Sequence, residues 1–305
     1  GPFDLVYERY SIWSYAGMEY AQAEGIPGVL EVNAPLIEEQ ARHRGLVDRG
    51  SAEQVAQRVF NAASVISVVS SEVASYLKRY SGLDDRIHVV PNGVNAERFH
   101  PGVAPRIAPE PDVFTVGFVG TLKPWHGLPI LASAFAKFHE RHPDTRLLIG
   151  GDGPGREAFE AQLASEGILR AVHFAGPLSP EQIPGFLTSM DVAVAPYPAD
   201  GEFYFSPLKV YEYMASGLPV VASAIGQISE IIKHEVNGLL VPPGDSSAFA
   251  SAFERIHSSP DLAARLGTAA RSSIVESHTW RIVVERILAL VEDSIASNMA
   301  SGKSK

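Results

Sequence analysis

The chain has 305 residues, of which 46% are hydrophobic and 20% charged, and its formal net charge is −10. The length suits two soluble domains, while the acidic balance excludes non-specific nucleic-acid binding, which needs clustered cations. Because there is no cysteine, disulfides, zinc–thiolate sites and cysteine nucleophiles are excluded as well. No apolar run approaches the roughly 20 residues that span a bilayer, and no signal peptide opens the chain, so we expect a cytoplasmic protein.

The first hundred residues alternate between strand-like and helix-like stretches. A strand-like stretch at 5–8 precedes an amphipathic one at 13–24, and further β-branched runs lie at 28–32, 64–69 and 86–90. A helix is predicted from Ser71, since Ser70, Ser71 and Glu72 form an N-cap cluster. This pattern predicts βαβ units and a parallel sheet. Because the chain opens in the middle of the pattern, we expect upstream residues to be missing from this domain.

A proline-rich stretch at 101–111 predicts a linker, after which the alternation restarts. Strands are predicted at 114–120, 145–151, 171–176, 191–196, 218–223 and 238–242. Helices are predicted at 129–141, after Pro154, at 180–189 and 208–215, from Ser229, and at 280–294. The sequence therefore predicts an α/β protein with an incomplete Rossmann-like domain at 1–104, a complete one at 105–278, and a C-terminal helix and tail at 279–305.

The loop that follows the first strand of the second domain could hold an anion. In open parallel sheets, ligands bind outside the carboxyl ends of the strands. Gly120 ends this strand and Gly127 precedes a helix, so backbone amides and the helix N-terminus could approach a phosphate, with Lys123 and His126 as side-chain donors. The alternative is a tight turn that uses glycine for its geometry.

The segment 202–223 is the richest in candidate residues. Helical spacing puts Lys209 and Glu212 on one face, and Ser206 and Pro207 stand where the helix begins. A cation and a carboxylate at that place could share the phosphate and the ribose hydroxyls of a ligand. The alternative is a surface ion pair, which contributes about 0–1 kcal/mol.

The remaining strand exits of the second domain give weaker signals. The glycine-rich stretch 150–157 is predicted to be a turn capped by Asp152, and His173 is predicted to be solvent-facing or satisfied. Backbone groups around Phe174–Gly176 could contact a base, and Glu230 is a further acid at a strand exit.

In the first domain, four polar residues follow strands and would face a cleft between the domains: Glu8, Arg9, Glu31 and Asn33. Loop polarity and capping explain them as well.

Together these segments resemble the retaining glycosyltransferases of family 4, which have two facing Rossmann-like domains (the GT-B architecture). The resemblance covers nearly the whole chain, and VVPNGVNAERFHP at 89–101 resembles the family's signature at the junction of the two domains. It continues, in the family's order, with GFVGTLKPWHG, LLIGGDGP, VHFAGPLS, DVAVAPY and SPLKVYEYMASGLPVVAS. The resemblance implies transfer of a sugar from a nucleoside-diphosphate sugar to an acceptor with retention of the anomeric configuration.

The resemblance also implies roles for individual residues. Glu212 matches the second glutamate of the family's E-x7-E motif, which holds the donor ribose, whereas Tyr204 stands where the first glutamate is expected. The family's diphosphate-binding arginine and lysine correspond to Thr121 and His126, so we assign the diphosphate to Lys123 and Lys209. The predicted catalytic residues are Lys123, Lys209 and Glu212. The predicted donor-binding residues are Gly120, Thr121, His126, Phe174, Ser206, Pro207 and Leu208. The predicted sugar or acceptor side comprises Arg9, Asn33, Glu202 and Tyr204, of which Asn33 replaces a histidine of many members.

No residue resembles a nucleophile with an adjacent base, which favours a front-face mechanism based on stabilising the departing diphosphate. No carboxylate pair resembles a metal site, so neither a metal nor a cofactor is expected. The acceptor is an unidentified carbohydrate, lipid-linked or small molecule, and no basic amphipathic helix indicates membrane association. Two alternatives stay open. One is a sugar-nucleotide epimerase using Glu8 or Glu31. The other is a silent nucleotide-sugar-binding fragment, which the missing start and Tyr204 favour.

Overall fold

A computed structural model describes residues 3–199, 203–204 and 206–302. The chain forms two compact units. The first comprises Gly1–Gly93, Phe203–Ser206 and Trp280–Lys305, and the second comprises Val94–Glu202 and Pro207–Thr279.

The residues just after the division at Gly93 and Val94 are tied to the second unit. The guanidinium of Arg271 donates to the carbonyl oxygens of Ala96 and Phe99 at 2.8 and 2.6 Å. The amide of Arg106 donates to the carbonyl oxygen of Gly185 at 2.8 Å. The boundary drawn at 104 and 105 from the sequence thus falls inside the second unit, because the proline-rich stretch packs there as ordered chain.

The first unit is built on a parallel sheet with helices between its strands. Its strands are β1 (Val6–Arg9), β2 (Gly28–Val32), β3 (Val65–Val68) and β4 (Ile87–Val89), hydrogen-bonded in that order. Its first four helices are α1 (Ala16–Glu24), α2 (Leu36–His43), α3 (Arg49–Ala62) and α4 (Ser71–Leu77). The hydroxyl of Ser70 accepts the amide of Val73 at 3.2 Å, which confirms the predicted cap of α4.

The second unit is a six-stranded, entirely parallel α/β domain. In chain order its elements are β5 (Phe114–Val119), α5 (Leu128–Arg141), β6 (Thr145–Gly150), α6 (Arg156–Ser165), β7 (Val172–Gly176), α7 (Ile183–Leu187), β8 (Val192–Ala195), α8 (Leu208–Ala215), β9 (Val220–Ser223), α9 (Ile228–Ile231), β10 (Leu239–Val241), α10 (Ser246–His257) and α11 (Pro260–Ser277).

The strand order in this sheet is β10-β9-β8-β5-β6-β7. The chain runs from β5 through β6 to β7 on one side, and then crosses back to place β8 on the other side of β5. The order therefore reverses between β5 and β8, and in such sheets the crevice outside the carboxyl ends of these two strands is where ligands bind.

The last helix, α12 (Trp280–Gly302), returns to the first unit. Val283, Ile287 and Val291 recur every four residues and pack against Val29 and Val65. Among the described helices none has the length and apolar character needed to cross a membrane.

Both sheets are parallel and helix-covered, which confirms the predicted α/β fold class. Helices on both faces explain why β8 and β9 are buried at every position and consist of small or β-branched residues.

Candidate functional site

The exits of β5 and β8 approach each other very closely at Gly127. This glycine has φ of +69°, and a Cβ placed on it would lie 1.5 Å from the carbonyl oxygen of Pro196, directly after β8. Only a residue without a side chain fits there. Gly127 therefore serves the geometry of the turn, and it brings the loop 120–127 against the end of β8 at the switch point.

The glycine-rich loop after β6 is hydrogen-bonded to this turn. The amide of Leu122 donates to the carbonyl oxygen of Asp152 at 3.0 Å, and the amide of Gly155 donates to the carbonyl oxygen of Leu122 at 2.8 Å. Asp152 also accepts the amide of Gly153 at 2.7 Å. The predicted glycine-rich turn is present, but the helix after it begins at Arg156 and not at Pro154, with Gly155 as its N-cap residue and no side-chain cap bond from Asp152.

Lys209, on the first turn of α8, points its ammonium group into this crevice. The Nζ atom is buried, although part of the stem reaches the surface, and it has no hydrogen-bond partner among the described residues. It lies 4.5 Å from the ring centre of Phe118 and 5.4 Å from that of Tyr197. A Cβ on Gly120 would be 2.9 Å from it. The alternative of a surface ion pair is therefore wrong for Lys209.

Burial shifts the pKa values of the Lys209 ammonium and the Glu212 carboxyl in opposite directions, because it disfavours the charged form of each group. Desolvation lowers the pKa of Lys209 to about 7, and the charge of Glu212 partly offsets that effect. Desolvation raises the pKa of Glu212 to about 7, while Arg98 and Lys209 act against it. The two groups are one helical turn apart, as the spacing predicted. Perturbed groups of opposite charge at a switch point are typical of functional sites.

His126 lies at the end of the same loop, next to both lysines. Burial and the charges of Lys209 and Lys123 lower the pKa of His126 to about 4. Its Nδ1 is 2.5 Å from the carbonyl oxygen of Thr121. Lys123 itself places its ammonium 4.7 Å from the ring centre of Trp125.

The position of α8 is fixed by a buried tyrosine. The hydroxyl of Tyr213 accepts the amide of Val119 at 2.8 Å and donates to the carbonyl oxygen of the same residue at 3.1 Å. These bonds tie the helix that carries Lys209 and Glu212 to the last residue of β5. Tyr213 is fully buried, so both bonds are made out of water.

The structure thus brings five of the predicted residues together in the second unit: Gly120, Lys123, His126, Lys209 and Glu212. Thr121 contributes its carbonyl oxygen to this group, while Pro207 caps α8 and Leu208 is 47% exposed beside it. Phe174 lies on β7, two strands from β5, and packs against Arg156 and Phe159. His173 is exposed, as predicted.

The sequence reasoning missed Tyr197 and Arg98. Tyr197 is buried beside Lys209, and its ring centre is 5.9 Å from that of His126. Its position two residues after β8, at the switch point, was an available signal. Arg98 acts on the charge of Glu212 and had no signal beyond its place in the family-like segment 89–101.

In the first unit, the predicted polar residues at the ends of β1 and β2 form a small network. Asn33 donates to Glu31 at 3.0 Å, and Arg9 lies 3.6 Å from the other carboxylate oxygen of Glu31. The carbonyl oxygen of the Asn33 side chain is buried and has no hydrogen-bond partner in the described part of the chain. Glu8 accepts the hydroxyl of Ser14.

Two predicted residues precede α8 within the first unit. The hydroxyl of Tyr204 donates to Glu39, and its backbone carbonyl accepts the hydroxyl of Ser70 at 2.6 Å. The Ser206 hydroxyl is buried and finds no hydrogen-bond partner in residues 3–199, 203–204 and 206–302. Glu202 lies outside the described residues. Within the described residues, no cluster of three His, Asp or Glu side chains could hold a metal ion.

Comparisons with known proteins identify the family of the chain. Residues 113–259 match the family model "Glycosyl transferases group 1", and residues 1–98 match the model "Glycosyltransferase Family 4". The chain belongs to the family 4-like glycosyltransferases. This confirms the resemblance that the motifs indicated.

Individual relatives are moderately similar. A D-inositol 3-phosphate glycosyltransferase of Acidothermus cellulolyticus is 29% identical over 97% of this chain and 68% of its own length. One of Corynebacterium urealyticum is 36% identical over 72% of this chain and 54% of its own length.

Among solved structures, sucrose-phosphate synthase of Thermosynechococcus elongatus has a TM-score of 0.71 and 24% identity, covering 97% of this chain and 74% of that one. HepE of Anabaena, in complex with UDP, has a TM-score of 0.71 and 22% identity, covering 98% and 79%. These structures share the GT-B fold with this glycosyltransferase.

Proposed function

We propose that this glycosyltransferase transfers a sugar from a nucleoside-diphosphate sugar to an acceptor with retention of the anomeric configuration. The observation that carries the proposal is the buried ammonium of Lys209 at the switch point, which lacks a hydrogen-bond partner among the described residues. A buried charge without a partner is costly, so its persistence favours an anionic ligand. HepE, a solved protein of the same fold, is in complex with UDP, which supports a nucleotide as that anion.

The proposed donor lies across the ends of β5 and β8. Its diphosphate would lie beside Gly120, within reach of Lys209 and Lys123, and its ribose hydroxyls would donate to the Glu212 carboxylate. The backbone at Gly120 can approach a phosphate because no side chain intervenes. Thr121, Phe174, Ser206, Pro207 and Leu208 stay predictions as donor contacts. Arg9, Asn33, Glu202 and Tyr204 stay predictions for the sugar or acceptor side.

In the proposed reaction, the acceptor hydroxyl oxygen bonds to the anomeric carbon as the bond from that carbon to the diphosphate oxygen breaks. The hydroxyl proton passes to the departing diphosphate. Lys209 stabilises the charge that develops on the leaving group, and it does so strongly because its surroundings are apolar and preorganised. The chain's remaining task is to orient the acceptor on the same face as the leaving group.

The proposal is tested by calorimetric titration with UDP and GDP and with their sugars, followed by turnover assays. In Lys209→Met we expect nucleotide affinity to fall at least about tenfold, since a charge-assisted contact of roughly 1.5–3 kcal/mol is lost. Lys233→Met, at an exposed position of the same unit, is the matched control and should bind normally.

The two enzymatic outcomes are separated by the products. Transfer of the sugar with retention supports the proposal, whereas isomerisation of the sugar without an acceptor would identify an epimerase. Binding without turnover would identify a silent module, and unchanged affinity in Lys209→Met would remove the assigned diphosphate site.

A further inference from the structure

We propose that His126 is a third diphosphate-binding cation, beside Lys209 and Lys123, that the ligand itself creates: neutral in the free protein, it takes up a proton when the diphosphate binds and donates Nε2–H to a phosphate oxygen. This inference rests on the proposed donor site. It concerns how that site recognises its ligand, and it makes donor binding a proton-coupled event.

In the free protein, the His126 ring is held in one tautomer by the backbone. The Nδ1 atom of His126 lies 2.5 Å from the carbonyl oxygen of Thr121. A carbonyl oxygen can only accept, so the proton must be on Nδ1. In a neutral ring Nε2 then carries a lone pair, and no described residue forms a hydrogen bond with it. A lone pair cannot donate to a phosphate oxygen, so His126 can bind one through Nε2 only after protonation.

Burial contributes most to keeping the His126 ring neutral in the free protein. The charges of two lysines act in the same direction. Lys123 lies on the same loop and Lys209 on α8, and both disfavour a charge on the ring. The carboxyl of Glu212, a turn further along α8, has its own charge disfavoured by burial. Tyr197, which follows β8, is neutral because burial raises the pKa of its phenol.

A bound diphosphate would reverse the balance of charge around the His126 ring. Two negative charges placed beside Lys209 and Lys123 neutralise the field that disfavours the imidazolium, and they offer Nε2–H an acceptor. Both effects favour the charged ring. By linkage, a ligand that raises the pKa of a group binds more tightly as the pH falls, by up to about tenfold per pH unit for one proton.

Lys209 contributes to the same linkage in a different pH range. Its pKa in the free protein is about 7, so it takes up a proton on binding mainly above pH 7 and is already largely charged at pH 6. Proton uptake near pH 6 therefore reports on His126, whose free pKa is about 4. Release of a proton from Glu212 would act in the opposite direction, so a measurement on His126 itself is needed.

The direct test follows the imidazole Cε1–H signals by NMR against pH, in the free protein and with saturating UDP-glucose. UDP-glucose is the right probe because its two phosphates do not titrate between about pH 5 and 8. The chain has ten histidines, and the His126 signal is identified by its loss in His126→Gln. We expect the pKa of His126 to rise by at least about two units on binding, whereas UDP-glucose should leave the Cε1–H signal of exposed His173 on β7 unchanged at every pH.

A matched pair of variants tests the consequence for affinity. Between pH 7 and 6, the affinity of the wild type for UDP-glucose should rise more steeply than that of His126→Lys, which carries its charge in advance. His126→Gln should bind more weakly than both at pH 6. An unchanged His126 pKa in the UDP-glucose complex would overturn the inference and leave the donor site standing. Failure of UDP-glucose and of other nucleotide sugars to bind would overturn the donor site as well.

Discussion

At the scale of single residues, we expect Lys209 to lower the stability of the ligand-free protein while it favours ligand binding. Its ammonium group is buried against Phe118 and Tyr197 without a hydrogen bond from any described residue. A methionine of similar length would keep the packing and remove the buried charge. We therefore expect Lys209→Met to raise the free energy of unfolding of the ligand-free protein by about 1 kcal/mol, measured by urea denaturation.

The effect should depend on pH in a definite direction. The pKa of Lys209 is about 7 in the folded protein, against 10.5 as the ordinary value. The unfolded chain binds more protons between these values, so the stability of the wild type rises with pH across that window. The gain from Lys209→Met should thus be larger at pH 6 than at pH 9. A loss of stability at pH 6, with Lys233→Met unchanged, would show that the ammonium has a favourable partner in the free protein.

The sequence could predict which residues gather at the site better than it could predict their ionisation. The spacing of Lys209 and Glu212 placed them on one helical face, and the glycines placed a turn after β5. The burial of Lys209 depends on Phe118 and Tyr197, which come from two other elements, and no local pattern contains that information. The same holds for Tyr204, whose contacts with Glu39 and Ser70 join residues far apart in the chain.

At the scale of elements, the strands were predicted more accurately than the helices of the first unit. Strands such as β8 and β9 are buried on both faces and therefore appear in the sequence as short continuous apolar runs. The bounds of α2 and α3 were not predicted, because the sequence between β2 and β3 is mainly polar. Most of the buried residues of α3 are alanines, which give a weak apolar periodicity. Its N-cap, where Asp48 accepts the amide of Ser51 at 2.9 Å, was the available signal.

The close approach of the β5 and β8 exits makes a second prediction possible. In Gly127→Ala, the new methyl group would collide with the carbonyl oxygen of Pro196, and the backbone would also hold φ of +69°. Gly176→Ala is a matched control, because Gly176 has the same φ of +69° and no atom within 4 Å of a Cβ. We expect a loss of about 1 kcal/mol for Gly176→Ala and of about 3 kcal/mol or more for Gly127→Ala, measured by urea denaturation. Equal losses would show that the strain lies in the backbone angle alone.

At the scale of the whole molecule, the chain builds two units with separate cores. The core of the second includes Phe118, Phe135 and Phe253, and that of the first includes Phe60, Ile66 and Leu77. The alternation of strands and helices predicted two such units. It did not predict that Phe203–Ser206 and Trp280–Lys305 rejoin the first one, because that depends on contacts between distant parts of the chain.

The two cores and the location of the site lead to a prediction about how UDP stabilises the protein. The residues proposed to hold the diphosphate and the ribose, Lys123, Lys209 and Glu212, lie in the second unit, and a ligand stabilises the structure that binds it by about 2.7 kcal/mol at one hundred times its dissociation constant. Amides of β6 that exchange by unfolding of that unit should then exchange about one hundredfold more slowly, measured by hydrogen exchange and mass spectrometry on the full chain. Amides of β3, in the core of the first unit, should keep their rates. Lys209→Met at the same UDP concentration is the control, and it should slow exchange in β6 by at most about tenfold because its affinity is at least about tenfold lower. Equal slowing in β3 and β6 would mean that the two units open together as one cooperative structure, and that a ligand bound to either one stabilises both.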